Sequence, residues 1–117
     1  MLDFSPVSTQ PADRRKTMVD CQLRTFEVTD LAVLDAFMTT PREAFMASAD
    51  LAVVYSDAAQ TVSSDGHSRS LLTPMVLARL IQAADIDRGC RVLDVGGGAG
   101  YSAAILSHLA GSVVALE

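Results

Sequence analysis

Val92-Leu93-Asp94-Val95-Gly96-Gly97-Gly98-Ala99-Gly100-Tyr101 is the stretch on which the fold turns. Its first half belongs to a short apolar run, Arg91 to Val95, that predicts a strand. Gly96 to Gly100 follows as a glycine-rich loop. Glycines at 96, 98 and 100 let the backbone turn tightly and come close to a ligand. Tyr101 to Leu109 predicts a helix, with its first N–H groups directed at the same place. Gly111 closes that helix, and Ser112 to Leu116 predicts a second apolar strand. Strand, glycine loop, helix and strand make a βαβ unit. Its two strands should be parallel and joined by a right-handed crossover. The loop then lies at the carboxyl end of its strand, where open α/β sheets bind ligands.

Two cofactor classes use such a loop. The dinucleotide fingerprint is G-x-G-x-x-G/A. Counted from Gly96, its third position falls on Tyr101 and fails. Asp94, just before the loop, would also oppose a pyrophosphate. The spacing acid-x-Gly-x-Gly-x-Gly fits S-adenosylmethionine better, since that molecule carries an amino group and a sulfonium but no phosphate. Asp94 suits its cationic amino group. Glu117, at the end of the second strand, could accept hydrogen bonds from both ribose hydroxyls. The competing reading is a loop that only packs strand to helix. The agreement of acid, glycines, helix and terminal acid disfavours it.

Outward from the loop, composition narrows the classes. The chain has 117 residues, 50% hydrophobic and 20% charged, with mean hydropathy +0.29. That excludes a disordered polymer and fits one domain or a piece of one. A net charge of −5 argues against a phosphate-backbone binder, so no nucleic-acid partner is expected. No apolar run reaches the ~18–20 residues that span a bilayer, so no membrane partner is expected either. The opening MLDFSPVSTQ has neither the basic nor the apolar segment of a secretory signal. Cys21 and Cys90 stand far apart and read as free thiols, which points to the cytoplasm. His67 and His108 have no acid or thiol at metal-ligand spacing, so no metal is expected. Ser102 follows Gly100-Tyr101 and is out of frame for a G-x-S-x-G nucleophile.

Upstream, residues 1–12 read as a mobile lead-in. Asp13 to Thr25 predicts a helix around Met18, Val19, Cys21 and Leu23, with Arg14-Arg15-Lys16 as a solvated charged face. Thr29-Asp30 caps a second helix bearing Leu31, Val33, Leu34, Phe37 and Met38, and Pro41 stops it. A short turn covers Arg42 to Met46. Leu51-Ala52-Val53-Val54-Tyr55 is apolar and β-branched and predicts a strand or extended segment. Residues 56–70 read as a loop with a weak hairpin around Gln60-Thr61-Val62. Thr73-Pro74 starts a helix whose inner face is Val76, Leu77, Leu80, Ile81 and Ala84. Arg88-Gly89 is a turn.

Several of these strings together resemble a known family. They are Met18-Val19-Asp20-Cys21-Gln22-Leu23-Arg24, Val28-Thr29-Asp30, Val33-Leu34, Pro41-Arg42-Glu43-Ala44-Phe45 and Tyr55-Ser56-Asp57. With the glycine motif and its flanks through Glu117, they are similar to the N-terminal part of protein-L-isoaspartate O-methyltransferases. The resemblance covers nearly everything from about residue 18. It implies a Rossmann-like α/β methyltransferase with extra N-terminal helices, here its helical region and first βαβ unit. It also implies S-adenosylmethionine as cofactor and a protein or peptide as substrate. The methyl would go to the α-carboxylate of an isoaspartyl residue in damaged protein, and the ester would collapse to a succinimide on the way to repair. Such chemistry asks the protein mainly to align two reactive groups and exclude water.

The resemblance implies site residues as well. Ser70, Asp94, Gly96, Gly97, Gly98, Gly100, Tyr101 and Glu117 match cofactor-binding positions. The family's Thr-Ile-Ser-x loop falls on Ser70, Leu71, Leu72 and Thr73, so Leu72 stands at the family serine and Thr73 is the adjacent hydroxyl. Ser64-Asp65-Gly66-His67 departs from the family's Gly-Gln-rich approach. Leu72 motivates a second reading, a methyltransferase-like module that binds or regulates without chemistry. A nicotinamide oxidoreductase is disfavoured by Tyr101 and Asp94. The expected division is 1–12 lead-in, 13–72 helical region and substrate-side loop, and 73–117 the start of an incomplete S-adenosylmethionine-binding domain. A Rossmann-like sheet needs about 5–7 strands, and two clear parallel strands are legible. The chain therefore reads as the N-terminal half of a roughly 200-residue enzyme, inactive unless partnered.

Overall fold

The computed structural model describes residues 10–46, 50–64 and 67–116. Most of the expected lead-in, together with Glu117, lies outside the described residues. Pro11 occupies the first turn of α1, Pro11–Met18, where its missing N–H costs nothing. The helix runs on through a π-helical turn, Val19–Leu23, and a 3-10 turn, Arg24–Phe26. Met18, Val19 and Leu23 are all buried. Lys16 and Arg24 pair at the surface with Asp20.

Arg15 is not part of a solvated face. Its guanidinium donates to the Tyr55 hydroxyl at 3.1 Å, to the Met38 carbonyl at 3.3 Å and to Glu43 at 3.0 Å. The Tyr55 hydroxyl in turn donates to Glu43. One cation thus ties α1 to three later segments, and its side chain is only 13% exposed.

Asp30 caps α2, Leu31–Thr39, its side chain accepting from the Ala32 N–H at 3.0 Å. Val33, Leu34, Ala36 and Phe37 are buried, while Leu31 stands out at 74% exposure. Arg42–Phe45 forms a 3-10 turn as expected. Leu51–Val54 does not form a strand. It is a single helical turn, α3, because the Asp50 side chain accepts from the Ala52 N–H at 2.9 Å and satisfies the first turn. Burial of Val54 and Tyr55 then fixes it against the helical core, overriding the β-branched composition.

The hairpin is longer than its weak signal. β1, Gln60–Ser64, pairs antiparallel with β2, His67–Leu71, with Gln60 opposite Leu71. Thr73 caps α4, Pro74–Ala84. Its inner face is Pro74, Ala78 and Ile81 with Leu77 half-buried. Val76, Leu80 and Ala84 are exposed, so the inward face is rotated from the one expected. α4 packs on α2 and on the π-helical turn. Gln82 explains part of that docking: its Oε1 accepts from Thr29 and Asp30 N–H at 2.8 and 2.9 Å, and its Nε2 donates to the Glu27 carbonyl at 3.0 Å. The last of these bonds falls on Glu27, whose backbone lies in the left-handed region at φ 69°.

The βαβ unit is present. β3, Arg91–Val95, pairs parallel with β4, Ser112–Leu116, in the register Leu93–Val114 and Val95–Leu116. The intervening α5 spans Tyr101–Ser107, two residues shorter at its end than expected. Tyr101, Ile105, Leu106 and Leu109 join Phe37, Val54 and Ile81 in one core. Gly111 passes so close to Arg88 that a Cβ there would lie 2.3 Å from the Arg88 carbonyl oxygen. This approach seats the start of β4 beside β3.

Candidate functional site

β3 delivers Asp94 to the carboxyl end of the sheet, and the glycine loop folds over it. Gly96, Gly98 and Gly100 all have positive φ, at 71°, 68° and 94°. An L side chain resists this backbone at every second position, which is the reason for the repeated glycines. Gly97 serves a different need. A Cβ there would lie 2.6 Å from Asp94 Oδ2 and 2.9 Å from Ser102 Oγ. The room a side chain would fill is already taken by the Asp94 carboxylate and the hydroxyl that donates to it at 2.6 Å.

Two hollows meet at this point. The larger, about 190 Å³, is lined by Asp94, Val95, Gly96 and Gly97 from the strand and loop, and by Tyr101 and Ser102 from α5. Ser70, Leu71, Leu72 and Leu77 line it from the hairpin and α4. The smaller, about 100 Å³, is lined by Asp94, Gly97, Gly98, Gly100, Ala115 and Leu116. Asp94 and Gly97 belong to both. Leu71 reaches over the loop, its Cδ2 within 3.3 Å of where a Gly98 Cβ would stand. The hairpin end is therefore a wall of the cleft.

Most of the residues expected at a site are gathered here: Ser70, Leu72, Asp94, Gly96, Gly97 and Tyr101 around the larger hollow, Gly98 and Gly100 around the smaller. Thr73 lines neither. Its Oγ1 accepts from the Val76 N–H at 3.4 Å as the cap of α4. Leu72 is 47% exposed and brings no hydroxyl. Glu117 lies outside the described residues, one position past Leu116 of the smaller hollow.

Tyr101 is a core residue as much as a site residue. Its ring stands edge-on to Phe37 at 6.2 Å and against Phe45 at 5.8 Å, and the Arg42 guanidinium lies 4.8 Å from its centroid. Burial pushes its hydroxyl up to about 12. Arg42 is fully buried. Its Nε donates to the Val54 carbonyl at 2.8 Å, and among the described residues Nη1, Nη2 and the Tyr101 hydroxyl have no hydrogen-bond partner. The sequence offered no sign of this burial, because an arginine in a short polar turn reads as solvated. Ser102 was likewise missed: its bond to Asp94 joins the first turn of α5 to the end of β3 and depends on how the loop folds between them.

Comparison with known proteins agrees with this geometry. The family model described as protein-L-isoaspartate(D-aspartate) O-methyltransferase matches residues 13–117. Protein-L-isoaspartate O-methyltransferase 1 of Rhodopseudomonas palustris is 36% identical over 114 residues, covering 97% of this chain and 45% of that protein. The Methylorubrum extorquens protein-L-isoaspartate O-methyltransferase is 36% identical over 117 residues, with 97% and 50% covered. The chain spans half or less of the length of these relatives. A solved protein-L-isoaspartate O-methyltransferase superposes with a TM-score of 0.77 at 32% identity, over 88% of this chain and 33% of that one. A putative protein-L-isoaspartate O-methyltransferase from Plasmodium falciparum, solved with S-adenosyl-L-homocysteine, shares the fold at TM-score 0.64 and 21% identity, over 88% and 48%. The glycine loop, the helical region before it and these matches converge: the chain belongs to the protein-L-isoaspartate(D-aspartate) O-methyltransferase family.

Proposed function

We propose that this chain forms the donor-binding part of an S-adenosylmethionine-dependent methyltransferase that esterifies the α-carboxylate of isoaspartyl residues in damaged proteins. One observation carries the reading. Asp94 sits under a glycine loop, its carboxylate and the Ser102 hydroxyl fill the space a side chain at Gly97 would take, and two hollows share Asp94. The donor set fits the cofactor. Among the described lining residues no cation is present to receive a pyrophosphate, and Asp94 is an anion suited to an ammonium group. Asp94 would hold the amino group, Gly96, Gly97, Gly98 and Gly100 the methionine end, and Glu117 the ribose. Ser70 and Tyr101 would border the same cofactor. The bound donor supplies a methyl group already activated on a sulfonium. What remains for the chain is to hold donor and acceptor in line and keep water out.

The division of labour follows. Residues 13–72 form the substrate side, with the hairpin as wall, and 73–117 the donor side. Leu72 and Thr73, whose hydroxyl caps α4, stand where the acceptor would arrive. The two free cysteines support a cytoplasmic location. The test is transfer of labelled methyl from S-adenosylmethionine to an isoaspartyl peptide by the full-length gene product. Base-labile ester well above background supports the enzyme. Leu72, which brings no hydroxyl to the cavity, favours a second reading: a module that binds donor without transferring methyl. Donor binding with no ester would select it. Asp94→Ala and Glu117→Ala should each weaken donor binding at least tenfold by calorimetry, roughly the loss of a charge-assisted hydrogen bond. Unchanged affinity in both would refute these roles.

A further inference from the structure

We infer that Ser102 is a positioning residue that aims Asp94 at the donor; this rests on the donor-binding reading above. The Ser102 hydroxyl donates to Asp94 Oδ2 at 2.6 Å, the length of a charge-assisted O–H···O⁻ bond. Asp94 is on β3 and Ser102 is on the first turn of α5, so the bond spans the glycine loop from its entrance to its exit. Both side chains line the larger hollow.

The space around the pair is closed on one side. Gly97 passes so near that its absent Cβ would lie within 3 Å of both oxygens, at 2.6 and 2.9 Å. The carboxylate and the hydroxyl together fill the space beside Gly97 that a side chain would take. Its Oδ2 is held by the hydroxyl, and among the described residues its Oδ1 accepts no hydrogen bond. The arrangement commits one oxygen to the protein and leaves the other for a ligand. Without the hydroxyl, the carboxylate keeps its charge but loses the partner that fixes its rotamer. No proton changes owner in this role; the bond orients and does not react. A purely structural staple would move stability and leave ligand affinity alone, so the two roles separate by experiment.

The experiment is donor calorimetry on the full-length gene product, with thermal unfolding of each variant alongside. Ser102→Ala should weaken S-adenosylmethionine binding about tenfold, the loss of one charge-assisted bond. Ser102→Thr keeps the hydroxyl and should restore affinity to within roughly threefold of the unaltered protein. In an Asp94→Asn background, Ser102→Ala should add little, because the group it positions is already altered. Unchanged affinity in Ser102→Ala overturns the inference, as does the same loss in both backgrounds. If the unaltered protein binds no donor, the donor reading fails by itself. Crystal structures of the unaltered protein and Ser102→Ala then decide the positioning role: an Asp94 carboxylate that keeps its place overturns it, and one that rotates away supports it.

Discussion

The two faces of the β3–β4 pair differ in what covers them. On one face Val92 and Val113 pack against the helical core and Asp94 turns into the cleft. On the other, Leu93, Val95, Val114 and Leu116 are 56–66% exposed, side by side in the parallel register. A parallel pair is built to be covered on both sides, and its apolar run reads that way in sequence. Among the described residues the helices cover one side. The candidate site gathers on the covered side, since a carboxylate can be aimed only where packing fixes its surroundings.

The largest expected effect lies on the covered side. Phe37 is fully buried against Tyr101, so Phe37→Ala should cost about 3–5 kcal/mol in denaturant unfolding. A loss under about 1 kcal/mol would mean that this core is looser than the packing indicates. Gly97→Ala comes next. Its new methyl would displace the Asp94–Ser102 pair, with strain of about 1–3 kcal/mol and weaker donor binding in calorimetry.

Acid should bear on the core behind the covered face through Glu43. Burial alone would raise its carboxyl, but hydrogen bonds from Tyr55, from its own backbone and from Arg15 outweigh that and hold it below the usual carboxylate range. The folded value is therefore below the unfolded one. The contribution is complete above the unfolded value near 4.3 and is lost as pH falls through the folded value. Glu43→Gln should flatten the decline of the unfolding midpoint below about pH 4. An identical acid limb in the variant would show that the network adds nothing to pH dependence. The smallest effect belongs to the other face. Leu93→Ala should change stability by less than about 1 kcal/mol at low protein concentration, and a cost matching that of Phe37→Ala would show the face to be covered in solution.

The same contrast explains what could be read from the sequence. The βαβ unit was legible because local rules agree there: an apolar run, glycines where φ is positive, a second run. Caps announced α2 and α4 for the same reason. Leu51–Val54 misled because two adjacent valines outweighed Asp50, whose capping oxygen settles the matter in space. The inward face of α4 could not be phased from sequence, because nearly every position there is apolar and the choice of face belongs to α2. Buried Arg42 and half-buried Arg15 were illegible as anchoring cations, since their partners lie 12 to 40 residues away. At the site, the loop and its acid were readable, while the Ser102 bond and the hairpin wall depend on how elements pack.

The junction of the two hollows at Asp94 and Gly97 has a consequence for affinity. A ligand with an arm in each would place its second arm at high effective concentration once the first is seated. Two separate fragments, one per hollow, would each lose orientational freedom on binding, whereas a single molecule spanning the carboxylate loses it once. Tight binding at this cleft would then come less from any one contact than from the linkage between the arms.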